Sequence, residues 1–360
     1  MVRGEDIPDY DAIVIGAGLT GIYQTFLLDQ EGMKVLGIEA GKDVGGTWFW
    51  NRYPGCRLDT ESYAYGYLAS SGIIPDWNWS ENFAGQPELL RYANAAADAM
   101  DVRRLYKFQT RVTAAHYQQR ENVWKVTRDD NEVVTCRYLI SATGPLSASR
   151  MPDIKGIGSF KGESFHSSRW STRQDGSQDS IDFTGSGVGR EADPDRSSFW
   201  RKARADGNQL LRNLQQGLRS SRRYREEPIQ EVTPTGIRTS ERDYDLDVVI
   251  YATGFDAVTG SLDRIDIRGK DNTKLKDVWA DGPTTYLGLQ ARGFPNFFTL
   301  VGPHNGSAFC NIGVCGALQV EWVTRMLAYL RQKACRIRNP RKKPRTSGQT
   351  RFTRTLRARY

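Results

Sequence analysis

The 360-residue chain has only three histidines and lacks the cysteine spacings of metal or disulfide proteins. Its five cysteines, Cys56, Cys136, Cys310, Cys315 and Cys335, are odd in number, scattered and without a CxxC pair. Neither a zinc site nor a disulfide framework follows from that spacing, so structural or free thiols and no bound metal are expected. No apolar run approaches the roughly 18 residues of a membrane span. The opening "MVRGEDIPDYDAIVIGAG" places its first apolar run after acids and has no cleavable signal pattern, so a cytoplasmic location is expected.

The formal charge of +8 invites a nucleic-acid reading, but residues 331–360 hold twelve Lys or Arg and no acid. Without them, 38 basic residues face 42 acidic ones, and the body carries −4. The tail has too few apolar residues to pack and reads as disordered, so no nucleic-acid partner is expected. The rest is globular: 39% of the chain is apolar, with 14 Phe, 16 Tyr and 9 Trp to build a sizeable core.

The stretch "YDAIVIGAGLTGIYQTFLLDQEGMKVLGIEAG" carries the first chemical signal. An apolar strand, Ala12 to Ile15, enters Gly16-x-Gly18-x-x-Gly21, a helical stretch follows, and a second strand, Val35 to Ile38, ends on Glu39. In such a βαβ unit Gly16 permits the tight turn, Gly18 lets backbone approach a pyrophosphate and Gly21 lets the helix pack on the strand. Glu39 accepts hydrogen bonds from ribose hydroxyls and repels a 2′-phosphate, so FAD or NAD suits this site better than NADP. The next stretch, "GGTWFWNRYPGCRLDTESYAYGY", is rich in rings and glycines, which suits the walls of a large planar cofactor; an aromatic core loop is the alternative.

Two strand-like runs end in the same tripeptide, Ala142-Thr143-Gly144 and Ala252-Thr253-Gly254, at the sheet edge where open α/β folds bind ligands. Between the first strand pair and these turns, residues 111–140 alternate like a small antiparallel meander, expected as a flap on the parallel sheet. Near the end, Phe297 to Val301 reads as a strand, and a helix of about two dozen residues follows from Asn311, a plausible cap. The stretch "FKGESFHSSRW" fits neither the helical nor the strand period, which leaves loop packing or a specific constellation.

The chain resembles the Baeyer–Villiger monooxygenases. Their signature F-x-G-x-x-x-H-x-x-x-W is met at Phe160, Gly162, His166 and Trp170. A second signature is met at Gly45, Gly46, Trp48, Tyr53, Pro54, Gly55 and Asp59. The resemblance covers residues about 10 to 185 and 230 to 332. It implies an α/β fold with a Rossmann-like FAD-binding domain, and an enzyme that takes hydride from NADPH and uses dioxygen to convert a ketone into an ester or lactone. It also implies that Thr47, Trp48, Phe49 and Trp50 line FAD with Asp59 and Tyr65, and that Val112 meets the adenine through backbone. Arg57 and Asp59 would lie near the nicotinamide nucleotide. His166 would be a linker residue rather than an acid or base, and Asp59 a catalytic carboxylate.

In that family a second, NADP-binding domain with its own phosphate loop and a catalytic arginine follows the linker. Here only a G-x-G-x-G fragment at Gly185, Gly187 and Gly189 occurs, with no apolar strand before it and no arginine that aligns with the catalytic one. The expected organisation is a flavin domain in two parts, 1–145 and 230–332, around a linker, 146–185, and a residual or replaced NADP-domain insertion, 186–229, with a basic tail at 333–360. A non-catalytic FAD-binding remnant is the alternative, and an N-hydroxylating flavin monooxygenase a further one; the ketone and the oligomeric state stay open.

Overall fold

The apolar run "YDAIVI" becomes the centre of the molecule: Ala12, Ile13 and Val14 are fully buried in strand β1 (Tyr10–Ile15). The structure is a computed structural model, and it describes residues 7–66, 72–74, 76–170, 227–305 and 311–333. Helix α1 (Leu19–Gln30) leads from β1 to β2 (Val35–Ile38), and the two strands pair in parallel from Ala12 with Val35 to Ile15 with Ile38. Three helical segments follow, α2 (Thr47–Trp50), α3 (Ser62–Tyr65) and α4 (Gln86–Ala99). The short edge strand β3 (Tyr106–Lys107) then joins β2.

The alternating run 111–140 folds as β4 (Val112–Gln118), β5 (Val123–Arg128) and β6 (Val133–Ser141), paired antiparallel. This meander grows out of the main sheet. The first part of β6 takes β5, while its last part, Leu139 to Ser141, runs parallel to β1 and to β15. Strand β7 (Glu163–His166) precedes the undescribed residues 171–226. After them come a three-stranded antiparallel sheet, β8 (Ile229–Thr233), β9 (Gly236–Thr239) and β10 (Asp243–Asp245), and then β11 (Val248–Tyr251), which pairs in parallel with β7.

The chain next forms the single turn α5 (Gly260–Asp263), strand β12 (Asp266–Arg268) beside β4, and the turn α6 (Leu275–Val278). A short hairpin, β13 (Thr285–Tyr286) with β14 (Gln290–Ala291), leads to β15 (Phe297–Thr299), two residues shorter than the expected strand. The last helix, α7 (Ile312–Gln332), starts where expected: the Asn311 side chain accepts hydrogen bonds from the Gly313 and Val314 amides. Among the described residues no helix is long and apolar enough to cross a membrane.

Two cores cover the faces of the sheet. On one face α1, α4 and α7 bury Ile22, Leu28, Tyr92, Val320 and Leu327 against Val14 and Ile140. On the other, Trp124, Leu262, Trp279, Phe294 and Phe297 pack on Ile13, Ile15 and Leu139. Residues from both sides of the 171–226 segment thus build one sheet and both of its cores. Cys56 and Cys136 are free and buried, but Cys315 is disulfide-bonded, which corrects the expectation of thiols alone. The tail beyond residue 333, the Gly185–Gly189 fragment, Cys310 and Cys335 lie outside the described residues.

Candidate functional site

Glycine conformation sets the first turn. Gly16 has φ +108, and a Cβ there would lie 2.6 Å from the Ala142 carbonyl oxygen, so the end of β1 is pressed against the first Ala-Thr-Gly turn. Gly21 would put a Cβ 2.0 Å from the Gly16 carbonyl, which is the tight helix-on-strand packing its motif position demands. Gly18 differs. At φ −70 it is unstrained, and a Cβ would meet only the Gly46 Cα, at 3.6 Å. Helix α1 begins directly after it with no side-chain cap, leaving its positive end open for an anion.

Glu39 closes the βαβ unit and is buried at 6% exposure. Its Oε2 accepts the Ala17 amide at 2.7 Å and its Oε1 the Gly41 amide at 2.6 Å. A carboxylate offers about four lone-pair sites, so both oxygens keep acceptor capacity for ribose hydroxyls. The neighbouring strand follows: the Thr110 amide donates to the Glu39 carbonyl at 2.9 Å, which brings Val112, buried at the start of β4, to the same end of the site. The buried carboxylate and the uncapped helix fit the ribose and pyrophosphate of a dinucleotide.

The aromatic loop is held against this turn by its two glycines. Gly45 and Gly46 adopt φ +124 and +52, the Gly45 amide donates to the Ala17 carbonyl, and a Cβ on Gly46 would stand 2.7 Å from Gly18 Cα. Trp48 and Phe49 turn inward. Trp48 packs with Cys56, Leu58, Ala84 and Leu89, and its indole N–H donates to the Tyr65 hydroxyl at 2.9 Å. Phe49 covers Gly41, and Arg52 stacks on it with the guanidinium 4.8 Å from the ring. Thr47 is exposed and Trp50 half-buried, so these two face outward from α2. The core-loop reading thus describes Trp48 and Phe49, while Thr47 and Trp50 stay accessible on the other side of the turn.

Arg57 pairs with Glu81 at 2.9 Å and donates to the Phe83 carbonyl, tying the loop to the start of α4. Asp59 is exposed, close enough to Tyr65 for its charge to act there. Burial pushes the Tyr65 hydroxyl up to about 12, the Trp48 bond opposes this and Asp59 adds to it, so the phenol stays protonated near neutrality. Burial likewise pushes the Cys56 thiol up to about 12, against the hydrogen bond from Tyr53, and leaves it unreactive.

The four fingerprint residues gather around β7 and β11. A Cβ on Gly162 would meet the Asp247 carbonyl and the Phe160 ring, both at 2.6 Å, so the strand entry needs a glycine. His166 lies opposite Tyr251, next to the second Ala-Thr-Gly turn, and is buried. Its Nδ1 accepts the Ser168 amide at 3.1 Å, which places the neutral ring's proton on Nε2. Burial holds its pKa below the usual imidazole value; the Gly254 backbone opposes this and the Arg169 charge reinforces it. Trp170 packs edge-on against Phe165 at 4.7 Å. These contacts join the linker to the second turn, and the four residues pack rather than converge on the Gly18 surface.

Sequence reading missed Arg169. It occupies an unspecified position of the fingerprint, and only the fold reveals its guanidinium 4.4 Å over the Trp50 ring. It also missed Gln86, whose amide donates to the Trp48 carbonyl.

Residues 14–69 match the family model of the NAD(P)-binding Rossmann-like domain. The chain is 49% identical to the 2-oxo-Δ3-4,5,5-trimethylcyclopentenylacetyl-CoA monooxygenase of Pseudomonas putida, covering 92% of this chain and 86% of that one. That match extends over 467 aligned positions against a chain of 360, so at least 107 of them are gaps in this chain. A Baeyer–Villiger monooxygenase of Pseudooceanicola batsensis is 30% identical over 92% of this chain and 84% of its own. Among solved structures, OTEMO in complex with FAD and NADP superposes with a TM-score of 0.83 at 48% identity, covering 94% of this chain and 87% of that one. With both signatures in place and relatives of this identity along most of its length, the chain belongs to the Baeyer–Villiger monooxygenase family.

Proposed function

We propose that this chain is an FAD-dependent monooxygenase of the Baeyer–Villiger type. The reaction is ketone plus dioxygen, NADPH and a proton giving an ester or lactone, water and NADP+. The observation that supports it best is the meeting of Gly18 and Gly46 at the uncapped start of α1, beside the buried Glu39 carboxylate. Bound FAD supplies the hydride acceptor and the centre where dioxygen is activated.

The chain's own residues do the rest. The α1 terminus binds the pyrophosphate, Glu39 orients the adenosine ribose, and Val112 borders the adenine through its backbone. Thr47 and Trp50 would border the flavin from α2, while Trp48 and Phe49 fix that turn from beneath. Asp59 would supply the charged residue of the site, with Tyr65 held protonated beside it. Arg57 positions the loop that carries Asp59. His166 and Trp170 set the linker rather than move protons.

The substrate class we propose is a cyclic ketone carried on an acyl-CoA, because the Pseudomonas putida relative is named for such a substrate. A cytoplasmic location belongs to the same proposal, since NADPH is supplied there. The domain organisation set out from the sequence is also proposed: flavin parts 1–145 and 230–332, linker 146–185, shortened insertion 186–229 and tail 333–360. A second reading, a non-catalytic FAD-binding remnant, is favoured by the gap of at least 107 positions against the relative. Purified protein should release FAD on denaturation and form lactone from a simple cyclic ketone in air with NADPH. FAD without lactone would favour the remnant; folded protein free of flavin would overturn both.

A further inference from the structure

Val301 holds a backbone conformation that its own side chain opposes. Its φ is +51, and among the described residues only Val258 shares a positive φ on a β-branched side chain. Val258 is exposed, whereas Val301 is buried at 6%, just beyond β15. His304 is left-handed as well, at φ +67, in the third position of the turn Gly302 to Asn305, where the Asn305 amide donates to the Gly302 carbonyl at 3.1 Å. Such a position usually takes Gly or Asn. Two strained residues in one short loop persist only where their neighbours over-determine them.

Those neighbours come from three elements. The Gln319 side-chain oxygen on α7 accepts the Val301 amide at 2.7 Å, the Asn305 side chain donates to the Gly288 carbonyl, and His304 Nδ1 lies 2.8 Å from the Thr285 hydroxyl. The Gln319 contact fixes the plane of the peptide joining Leu300 to Val301. Turning that plane over would return φ to the extended region that suits valine. It would also aim the Leu300 carbonyl, another acceptor, at the Gln319 oxygen and leave the hydrogen bond unmade.

The loop stands beside the open end of α1. The Leu300 amide donates to the Ser141 carbonyl at 2.8 Å, and the next residue, Ala142, presses on Gly16. A Cβ on Gly316, in α7 about one turn before Gln319, would lie 2.8 Å from the Thr20 hydroxyl in the first turn of α1 and 3.4 Å from the Val301 side chain. We infer that Gln319 is a positioning residue for the flavin site: it locks the Leu300–Val301 peptide, so that the 301–305 loop keeps its place beside the α1 terminus. The inference rests on the functional reading above and extends it to a residue outside both signatures.

The test is a double-mutant cycle in FAD affinity, read by flavin fluorescence at a temperature where each apoprotein is folded, with melting curves alongside. Gln319→Leu keeps the bulk and removes the acceptor, so the turned-over peptide should predominate. FAD affinity should then fall about 10-fold, as the binding-competent fraction falls to about a tenth. Gln319→Glu keeps an acceptor and should stay within about 2-fold of wild type. In the Val301→Gly background the left-handed conformation carries no side-chain penalty, and the same Gln319→Leu change should cost less than about 3-fold. Unchanged affinity in Gln319→Leu, or equal losses in both backgrounds, overturns the inference. If Gln319→Leu does not fold alone, the double variant decides: FAD affinity near that of Val301→Gly supports the lock, and failure to fold overturns it. Folded wild type without FAD overturns the functional reading instead. The lock is then judged on apoprotein melting: a smaller drop for Gln319→Leu in the Val301→Gly background supports it, and an equal drop overturns it.

Discussion

Gly18 and Gly46 face each other backbone to backbone: a Cβ on Gly46 would stand 2.7 Å from Gly18 Cα, so the phosphate turn and the aromatic loop form one surface. The three motif glycines therefore predict three different outcomes. Gly18→Ala meets ordinary contact at 3.6 Å and unstrained φ, so the apoprotein should melt within about 1 kcal/mol of wild type while its FAD affinity falls, because the methyl takes the cofactor's space. Gly21→Ala drives a Cβ into the Gly16 carbonyl at 2.0 Å and should cost about 3 kcal/mol or more, close to the upper end of overpacking. Gly46→Ala combines φ +52 with the 2.7 Å contact and should lose both stability and flavin. Melting curves of apoprotein alongside flavin absorbance separate the three. A Gly18→Ala protein with full FAD would refute the phosphate assignment.

Glu39 is the second lever. Glu39→Gln places one amide NH2 opposite a backbone N–H donor, at Ala17 or Gly41, and removes the charge that both bonds rely on. A lost charged hydrogen bond in a buried place is worth about 1.5–3 kcal/mol. The variant should melt earlier by that amount and bind FAD about 10- to 100-fold more weakly. Unchanged flavin affinity, read by fluorescence as FAD is released, would remove Glu39 from the ribose site.

How much of this was legible in the sequence follows from the range of each interaction. The βαβ unit, Glu39 and the Asn311 cap were readable because each is set within a few dozen neighbouring residues. The Gly18–Gly46 contact links two motifs that each looked complete alone. Only the fold places them face to face. Arg169 over Trp50 was invisible because it joins residues more than a hundred positions apart. The burial of Trp48 and Phe49 was not legible either, because aromatic composition cannot distinguish a ring that faces a ligand from one that packs beneath it.

His166 makes stability depend on pH. Burial holds its folded pKa below the unfolded value of 6.5, so the unfolded chain takes up the proton first as the solution is acidified. Its contribution is complete above pH 6.5 and is lost as pH falls from there through the lower folded pKa. In urea melts, wild type should weaken on acidification below pH 6.5, and His166→Gln should be flatter over that window although less stable at neutrality through loss of packing on Phe255. Parallel pH profiles in the two proteins would show that another group sets the trend.

The reduction of the flavin is where this chain should depart from its relative. Hydride transfer needs a nicotinamide held against the ring, and such positioning is worth about 7–11 kcal/mol of a barrier. The relative's alignment carries at least 107 positions with no counterpart here. The stretch 171–226 offers a glycine fragment, Gly185, Gly187 and Gly189, without the apolar strand that would aim it. On the family resemblance, Asp59 would likewise lack its arginine partner. Losing one stabiliser of developing charge typically costs about 10²–10³ in rate. Under anaerobic mixing, dithionite should bleach the flavin completely, whereas NADPH should bleach it at least about 100-fold more slowly than it does in the Pseudomonas putida enzyme run alongside. Matching rates would mean that the nicotinamide is held productively without a full second domain.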